Sequence, residues 1–245
     1  MRNKWNNIAL CLMALLTISC GLDNYDAPQS KLHGQIIYKA ADGTEYPLQV
    51  KGTGEAIRLS LYQYGYQLKD NIPVFTDQDA TFEAVLFDGE YHLILNKDNG
   101  PWKPVMVSEE KKDTVDFYLK KSTQIKVYVT PYFLIRNAVI GLENNLLSGS
   151  CEVDRIIENA KISNQCLFVS TTHFVDESSN FIRMDLPGDK EAGKKDFSLT
   201  VTDEKQLKKL EEAKNRAGKV FVRLGIKAEG SDQFLYSDIK EIALR

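Results

Sequence analysis

The chain is poor in the residues that build local chemistry. Its 245 residues include 3 histidines and 4 cysteines. His33, His92 and His173 stand far apart, and none has a second histidine or a cysteine within four residues. A local metal motif needs such donors at short spacing, so each histidine reads as a surface or strand residue and no metal or cofactor is expected. Asp77 and Asp79 form an Asp-x-Asp pair before Ala80. The sixth- and twelfth-position features of a calcium loop are missing, which leaves a solvated turn. No Gly-x-Ser-x-Gly elbow is present, so nothing local marks a nucleophilic serine. A glycosidase needs two carboxylates about 5 to 9.5 Å apart, and 34 acidic residues neither identify nor dismiss such a pair. A basic excess is absent too: 31 Lys and Arg oppose 34 Asp and Glu, for a formal charge of −3. Nucleic-acid binding requires a basic footprint to neutralise phosphates and is set aside. Repeats of 20 to 50 residues and low-complexity tracts are lacking as well.

Long hydrophobic runs are equally scarce. The longest, Ile8 to Ile18, is broken only by Thr17 and is far shorter than the roughly twenty residues of a spanning helix. It follows Arg2 and Lys4 and precedes Ser19 and Cys20, the order of a secretory leader. Thr17-Ile18-Ser19-Cys20 resembles a lipobox, with Thr17 in the place usually held by leucine. That resemblance implies cleavage before Cys20, lipidation of Cys20, and a lipid-anchored chain of formal charge −5 once Arg2 and Lys4 are gone. The alternative is a soluble exported protein with a spare cysteine.

Hydrophobic residues make up 43% and charged residues 27%, which suits globular domains rather than disorder or an integral membrane fold. Residues 21–30 are polar and turn-rich and read as a tether. From residue 31 the pattern becomes short alternating runs between glycine, proline and aspartate, the signature of strands. Expected strands cover residues 32–39, 57–66, 80–87, 90–96, 104–107 and 114–120, then a second set beginning with the alternation of Ile125, Val127 and Val129. Val220, Val222, Leu224 and Ile226 give the clearest two-residue period. One helix is expected, capped by Asp203 with Gln206 three residues on, striped by Leu207, Leu210, Ala213 and Ala217, and closed by Gly218. The fold class is therefore mainly β, with two β-sandwiches in series and one surface helix in the second. The expected divisions are a leader over 1–19, a tether over 20–30, and sandwiches over 31–121 and 122–245. Two states are open to Cys151 and Cys166 in an exported chain. A disulfide closing about fifteen residues would contribute about 3 kcal/mol, while the other state is two buried thiols on neighbouring strands.

Aromatics supply the only positive functional hint. Tyr62, Tyr64 and Tyr66 recur at strand spacing opposite Ile57, Leu59 and Leu61, and would face outward. An exposed ring offers a flat apolar surface to the C–H face of a sugar, and its hydroxyl offers a hydrogen bond. Trp102, held between Pro101 and Pro104, is the other candidate. The plainer readings are tyrosines covering cross-strand neighbours and a tryptophan plugging the end of the sandwich or the domain interface.

Leu32-His33-Gly34-Gln35-Ile36, Ile57-Arg58-Leu59, Ala80-Thr81-Phe82 and Phe87-Asp88-Gly89-Glu90-Tyr91 resemble the carboxypeptidase-regulatory-like, prealbumin-related sandwich, in which a Gly-x-Tyr step opens a strand. With the segment from Cys20 to Pro28 and the run Leu167-Phe168-Val169-Ser170, the mature chain resembles an uncharacterised family of Bacteroidetes outer-membrane lipoproteins. The resemblance implies a prealbumin-like domain followed by an immunoglobulin- or fibronectin-like one. It implies a lipid-anchored place in the outer membrane, facing the cell surface. It also implies association with starch-utilisation-type receptor and transporter proteins that capture polysaccharide or oligosaccharide. It supplies no catalytic motif. A non-enzymatic, glycan-binding accessory is the leading expectation. A structural spacer without sugar affinity is the alternative, with a hydrolase behind both.

Overall fold

The computed structural model describes residues 26–53, 57–65, 70–95, 100–104 and 114–244. Alternating apolar residues produce two β-sandwiches in series. The first contains β1 (Ser30–Lys39), β2 (Glu45–Pro47), β3 (Arg58–Gln63), β4 (Ile72–Phe75), β5 (Thr81–Leu86), β6 (Gly89–Ile94), β7 (Trp102–Pro104), β8 (Thr114–Leu119) and β9 (Ser122–Pro131). One sheet runs β2-β1-β9-β7 with β5 also on β1, and the facing sheet runs β4-β3-β6-β8. Leu32, Ile36, Leu59, Leu61, Tyr91, Leu93 and Val127 point between them into one buried cluster. Gly34 lies opposite Phe82 across β1 and β5, and a Cβ there would stand 2.0 Å from the Phe82 ring. The missing side chain is what lets that ring cross the strand.

The Gly-x-Tyr step has a structural role. Tyr91 is buried, and its hydroxyl donates to the Phe87 carbonyl at 2.8 Å, four residues upstream. This pins the entry to β6 in the manner of a tyrosine corner. Asp77 forms a local turn: its carboxylate accepts from the Asp79 and Thr81 amides at 3.0 and 2.8 Å, and from the Thr81 hydroxyl.

The second sandwich contains β10 (Phe133–Glu143), β11 (Leu146–Arg155), β12 (Ile162–Ser170), β13 (Ile182–Asp185), β14 (Gly193–Thr200), α1 (Glu204–Ala217), β15 (Lys219–Ala228), β16 (Phe234–Tyr236) and β17 (Lys240–Ala243). Its sheets are β10-β11-β14 and β13-β12-β15-β16, with β17 also on β15. The helix forms as its end signals dictate. The Asp203 carboxylate accepts from the Gln206 amide at 2.9 Å, and Gly218, at φ 65°, donates back to Ala213 and Lys214. Leu210 and Ala213 bury its apolar stripe in the core.

The domain boundary differs from the sequence expectation. Residues 122–131 form β9, which pairs parallel with β1 from Lys31↔Ser122 to Ile37↔Tyr128. The first sandwich therefore ends at Pro131, not between Lys120 and Gln124. A two-residue period identifies a strand but does not say which sheet receives it.

The two sandwiches meet through a polar junction. Arg223 occupies the face of β15 opposite Val222 and Leu224, where alternation alone would leave it wet. Residues 49–53 of the first domain and the loop after β12 cover it instead, and it is 0% exposed. Its guanidinium donates to the carbonyls of Ser237 (3.1 Å), Val50 (3.3 Å) and Val175 (3.2 Å), and to Gln49 Oε1 (3.4 Å). It also lies 4.4 Å from the Tyr236 ring centre. Burial pulls the guanidinium down to about 10 and pushes the Tyr236 phenol up, so Arg223 stays charged and Tyr236 neutral near pH 7. Asp176, 1% exposed, accepts from the amides of Gly52, Thr53, Ser178 and Ser179 and from the Thr53 hydroxyl. Buried charges persist only when partnered in this way. The Tyr236 amide adds a bond to the Gln49 carbonyl, and Leu134 and Leu235 extend the first domain's core into the second.

Candidate binding face

The outward face of β4-β3-β6-β8 gathers aromatic and hydrogen-bonding side chains. Register sets the arrangement. Tyr62 lies opposite His92, and His92 opposite Asp116, which makes one row across β3, β6 and β8. The Tyr64 amide donates to the Glu90 carbonyl and Glu90 lies opposite Tyr118, which makes a second row. Side chains two residues apart share a face, so these rows stand side by side, roughly 7 Å apart. Tyr64 and Tyr118 are 48% and 57% exposed, and Phe75, at 55%, flanks the same sheet on β4.

Polar contacts orient the central groups. The Asp116 carboxylate accepts from His92 Nδ1, and the Tyr64 hydroxyl stands 3.3 Å from that nitrogen and 3.5 Å from Asp116 Oδ1. The Tyr64 and His92 rings meet edge to face at 5.9 Å between centres. Tyr64 is thereby held against its neighbours while nearly half its surface stays open to solvent. Such a face can stack on an apolar ring surface and accept hydrogen bonds from hydroxyls beside it.

Of the sequence candidates, Tyr62 and Tyr64 sit together on this face, Tyr62 half-buried and Tyr64 outward. Tyr66 and Cys20 lie outside the described residues. Trp102 does not join them. It is 1% exposed in the first domain's core, with its ring over Gly100, where a Cβ would come within 2.4 Å. Short β7 pairs Trp102 with Pro131 of β9, and this turns the indole inward. It fills the end of the sandwich, beside the junction, and offers no ring to a ligand.

Cys151 and Cys166 are free, buried thiols. They are not on neighbouring strands either: β11 and β12 lie in opposing sheets. Cys151 points into the core between those sheets, and Cys166 points out of its sheet's far side, among Phe168, Phe234 and Tyr236. Burial pushes their thiols up to about 11 and about 12, the latter helped by Asp185.

Sequence reasoning missed His92, Glu90, Asp116 and Tyr118 as partners of the tyrosines. Their alternation with Tyr91, Leu93, Val115 and Phe117 placed them on a wet face, but only register shows that they adjoin β3. Among the described residues no group of three metal-ligating side chains occurs. An open groove of about 1050 Å³ lies in the second domain, between the β10–β11 turn, α1 and β17. Its rim mixes Glu143, Glu211, Lys214 and Glu241 with leucine and isoleucine.

Two family models match the chain. The first, described as a protein of unknown function (DUF3823) N-terminal domain, covers residues 30–130. The second, a domain of unknown function (DUF3823_C), covers residues 133–241. The chain belongs to the DUF3823 family. Its two modules coincide with the two sandwiches, and their junction agrees with a first domain closed by β9. A DUF3823 protein of Parabacteroides merdae is 35% identical, with a TM-score of 0.74 over 90% of this chain and 100% of its own. A DUF3823 protein of Bacteroides ovatus, 23% identical, gives 0.71 over 88% and 100%. A Bacteroides uniformis protein provisionally described as carbohydrate binding gives 0.65 at 15% identity, over 89% and 100%. The last two show the shared fold. No curated protein matches the chain.

Proposed function

We propose that this DUF3823 protein is a non-enzymatic, lipid-anchored protein of the outer membrane that holds glycan at the cell surface, as an accessory to a polysaccharide receptor and transporter. The observation that carries the binding role is the oriented, half-exposed Tyr64 ring beside His92, Asp116 and Tyr118. Neutral sugars present apolar C–H faces and many hydroxyl donors, which are the two chemistries this face complements. The provisional description of the Bacteroides uniformis protein of like fold agrees with that reading. The leader-like segment 1–19, directly before Cys20, supports the anchor.

Affinity electrophoresis through a polysaccharide panel tests the binding role. The wild type should be retarded by at least one polymer, and Tyr64→Ala should migrate freely with an unchanged melting temperature. Absence of retardation throughout a broad panel overturns it. Mass spectrometry of the cell-derived chain tests the anchor: a lipidated Cys20 at the amino terminus is expected, and an unprocessed Met1 refutes it.

The spacer reading draws on the buried junction of Arg223 and Asp176, which fixes the two domains to each other. It predicts recovery of a transporter partner from detergent-solubilised membranes with no glycan affinity.

A further inference from the structure

We infer that the end of the first sandwich where the chain enters is a lipid-contact surface, on which Phe87 and the lysines Lys31, Lys120 and Lys121 rest against anionic headgroups. This inference rests on the lipid-anchor part of the proposed function and adds the orientation that the anchored molecule takes. Strand direction places the surface. β1 and β9 run parallel, so Ser30 and Ser122 share one end of the sandwich, while Pro131 leaves for the second domain from the other. The turns at Phe87–Asp88 and Lys120–Lys121 lie at the Ser30 end too: Leu86 stands opposite Ser30, and the Lys31 amide donates to the Lys121 carbonyl at 2.6 Å. The anchor and the second domain are therefore at opposite ends of the first. Cys20 stands ten residues before Ser30, which limits the distance from lipid to fold to about 35 Å. The anchor thus keeps the Ser30 end at high effective concentration against the bilayer. A contact too weak to hold a free protein then suffices to set its orientation.

What this end displays is the chemistry of an interfacial surface. Phe87 and Val85 are exposed there, and Tyr64 and Tyr118 stand one step inward on the binding face. Four of the nine large exposed hydrophobic side chains among the described residues thus gather at one end of one domain. Lys31, Lys120 and Lys121 are exposed beside them, with no ion-pair partner among the described residues. Of the carboxylates nearby, Asp88 accepts from the Ser30 hydroxyl, Glu83 pairs with His33, Glu90 stands on the binding face, and Asp26 rides on the tether. Aromatic rings settle at headgroup level, and lysines reach the lipid phosphates around them. The backbone under Phe87 is pinned by the Tyr91 hydroxyl, so seating its ring costs little further ordering. With this end on the bilayer, Tyr64, Glu90 and Tyr118 lie beside the lipid surface and the second domain stands away from it. A captured glycan would then be held at the level of a membrane-embedded partner.

Dye quenching on the full chain tests the orientation. The protein is purified from cell membranes and incorporated in vesicles of phosphatidylethanolamine and phosphatidylglycerol. An environment-sensitive dye is attached at Phe87→Cys or, at the far end of the second domain, at Leu146→Cys; both sites are exposed, whereas Cys151 and Cys166 are buried. Lipid-borne quenchers should darken the dye at 87 and spare the dye at 146. Lys120→Glu combined with Lys121→Glu should cut the docked population about tenfold, as should replacing phosphatidylglycerol with phosphatidylcholine. Equal quenching at the two positions overturns the orientation, while a lipidated Cys20 in the mass spectrum of the same sample leaves the anchor standing. Quenching at 87 that ignores both the lysine changes and the lipid charge overturns the role given to the headgroups. A chain whose Cys20 carries no lipid sinks the anchor reading and this inference with it.

Discussion

Replacing Asp176 with alanine should loosen the join between the domains. In the native protein its carboxylate serves five donors: four backbone amides, from Gly52, Thr53, Ser178 and Ser179, and the Thr53 hydroxyl. The site is 1% exposed, so water cannot replace the lost acceptor without the loop opening. Each stranded buried donor costs about 1–3 kcal/mol, but local relaxation satisfies some of them. Removal of one buried charged partner generally costs about 3–5 kcal/mol, and that range is expected for Asp176→Ala. For a chain of this size it corresponds to a drop on the order of 10 °C in melting temperature. Asp176→Asn keeps the shape and one acceptor oxygen but turns an NH2 toward donors, so about 1–3 kcal/mol is expected. Guanidinium unfolding followed by tryptophan fluorescence and circular dichroism measures both variants. A cost below about 1 kcal/mol for the alanine variant, or an asparagine variant worse than alanine, would refute the assignment of Asp176 as the acceptor that secures residues 52–53.

Other consequences are equally concrete. Trp102→Ala should cost about 3–5 kcal/mol as a core truncation, whereas a surface ligand residue would leave stability unchanged in thermal scans. Gly34→Ala should destabilise by about 1–3 kcal/mol because its Cβ meets the Phe82 ring, and the loss should shrink in a Phe82→Leu background. Cys151 and Cys166 should resist a thiol reagent in the native protein at pH 8 and react on unfolding, and reduction should not change stability. Both thiols keep their protons to higher pH when folded than when unfolded, about 11 and about 12 against 9.0. Their contribution is thus whole below pH 9 and lost as pH rises through 11 to 12, and a double Cys→Ser variant should flatten the alkaline arm of the stability curve.

Local signals were read well where the physics is local. The Asp203 cap, its Gln206 partner and the Gly218 terminus bracket the helix on sequence alone, because each bond spans three to five residues. Leu59 and Leu61 against Tyr62 give the inward and outward faces of β3 for the same reason, although the strand stops at Gln63, short of the expected 66, and Tyr64 stands in the turn beyond it. What failed was non-local. Nothing in Ile125, Val127 and Val129 says that their strand returns to lie parallel with β1, just over ninety residues earlier. Arg223 sits within a valine- and leucine-rich strand on the face that alternation leaves to solvent, and only the docking of the other domain buries it. The partnership of Tyr64 with His92 and Asp116 is likewise a matter of register between strands 28 and 52 residues away in sequence.

A single residue, Tyr132, separates β9 from β10. Its amide is tied to the Pro101 carbonyl, and its own carbonyl receives Ile156 and Ile157. The joint therefore has no slack, and the two halves should pivot about as freely as two lengths of one plank. Force applied to the far end of the second half would reach the tyrosine-bearing sheet as a torque on a stiff lever, without first being absorbed in an uncoiling hinge.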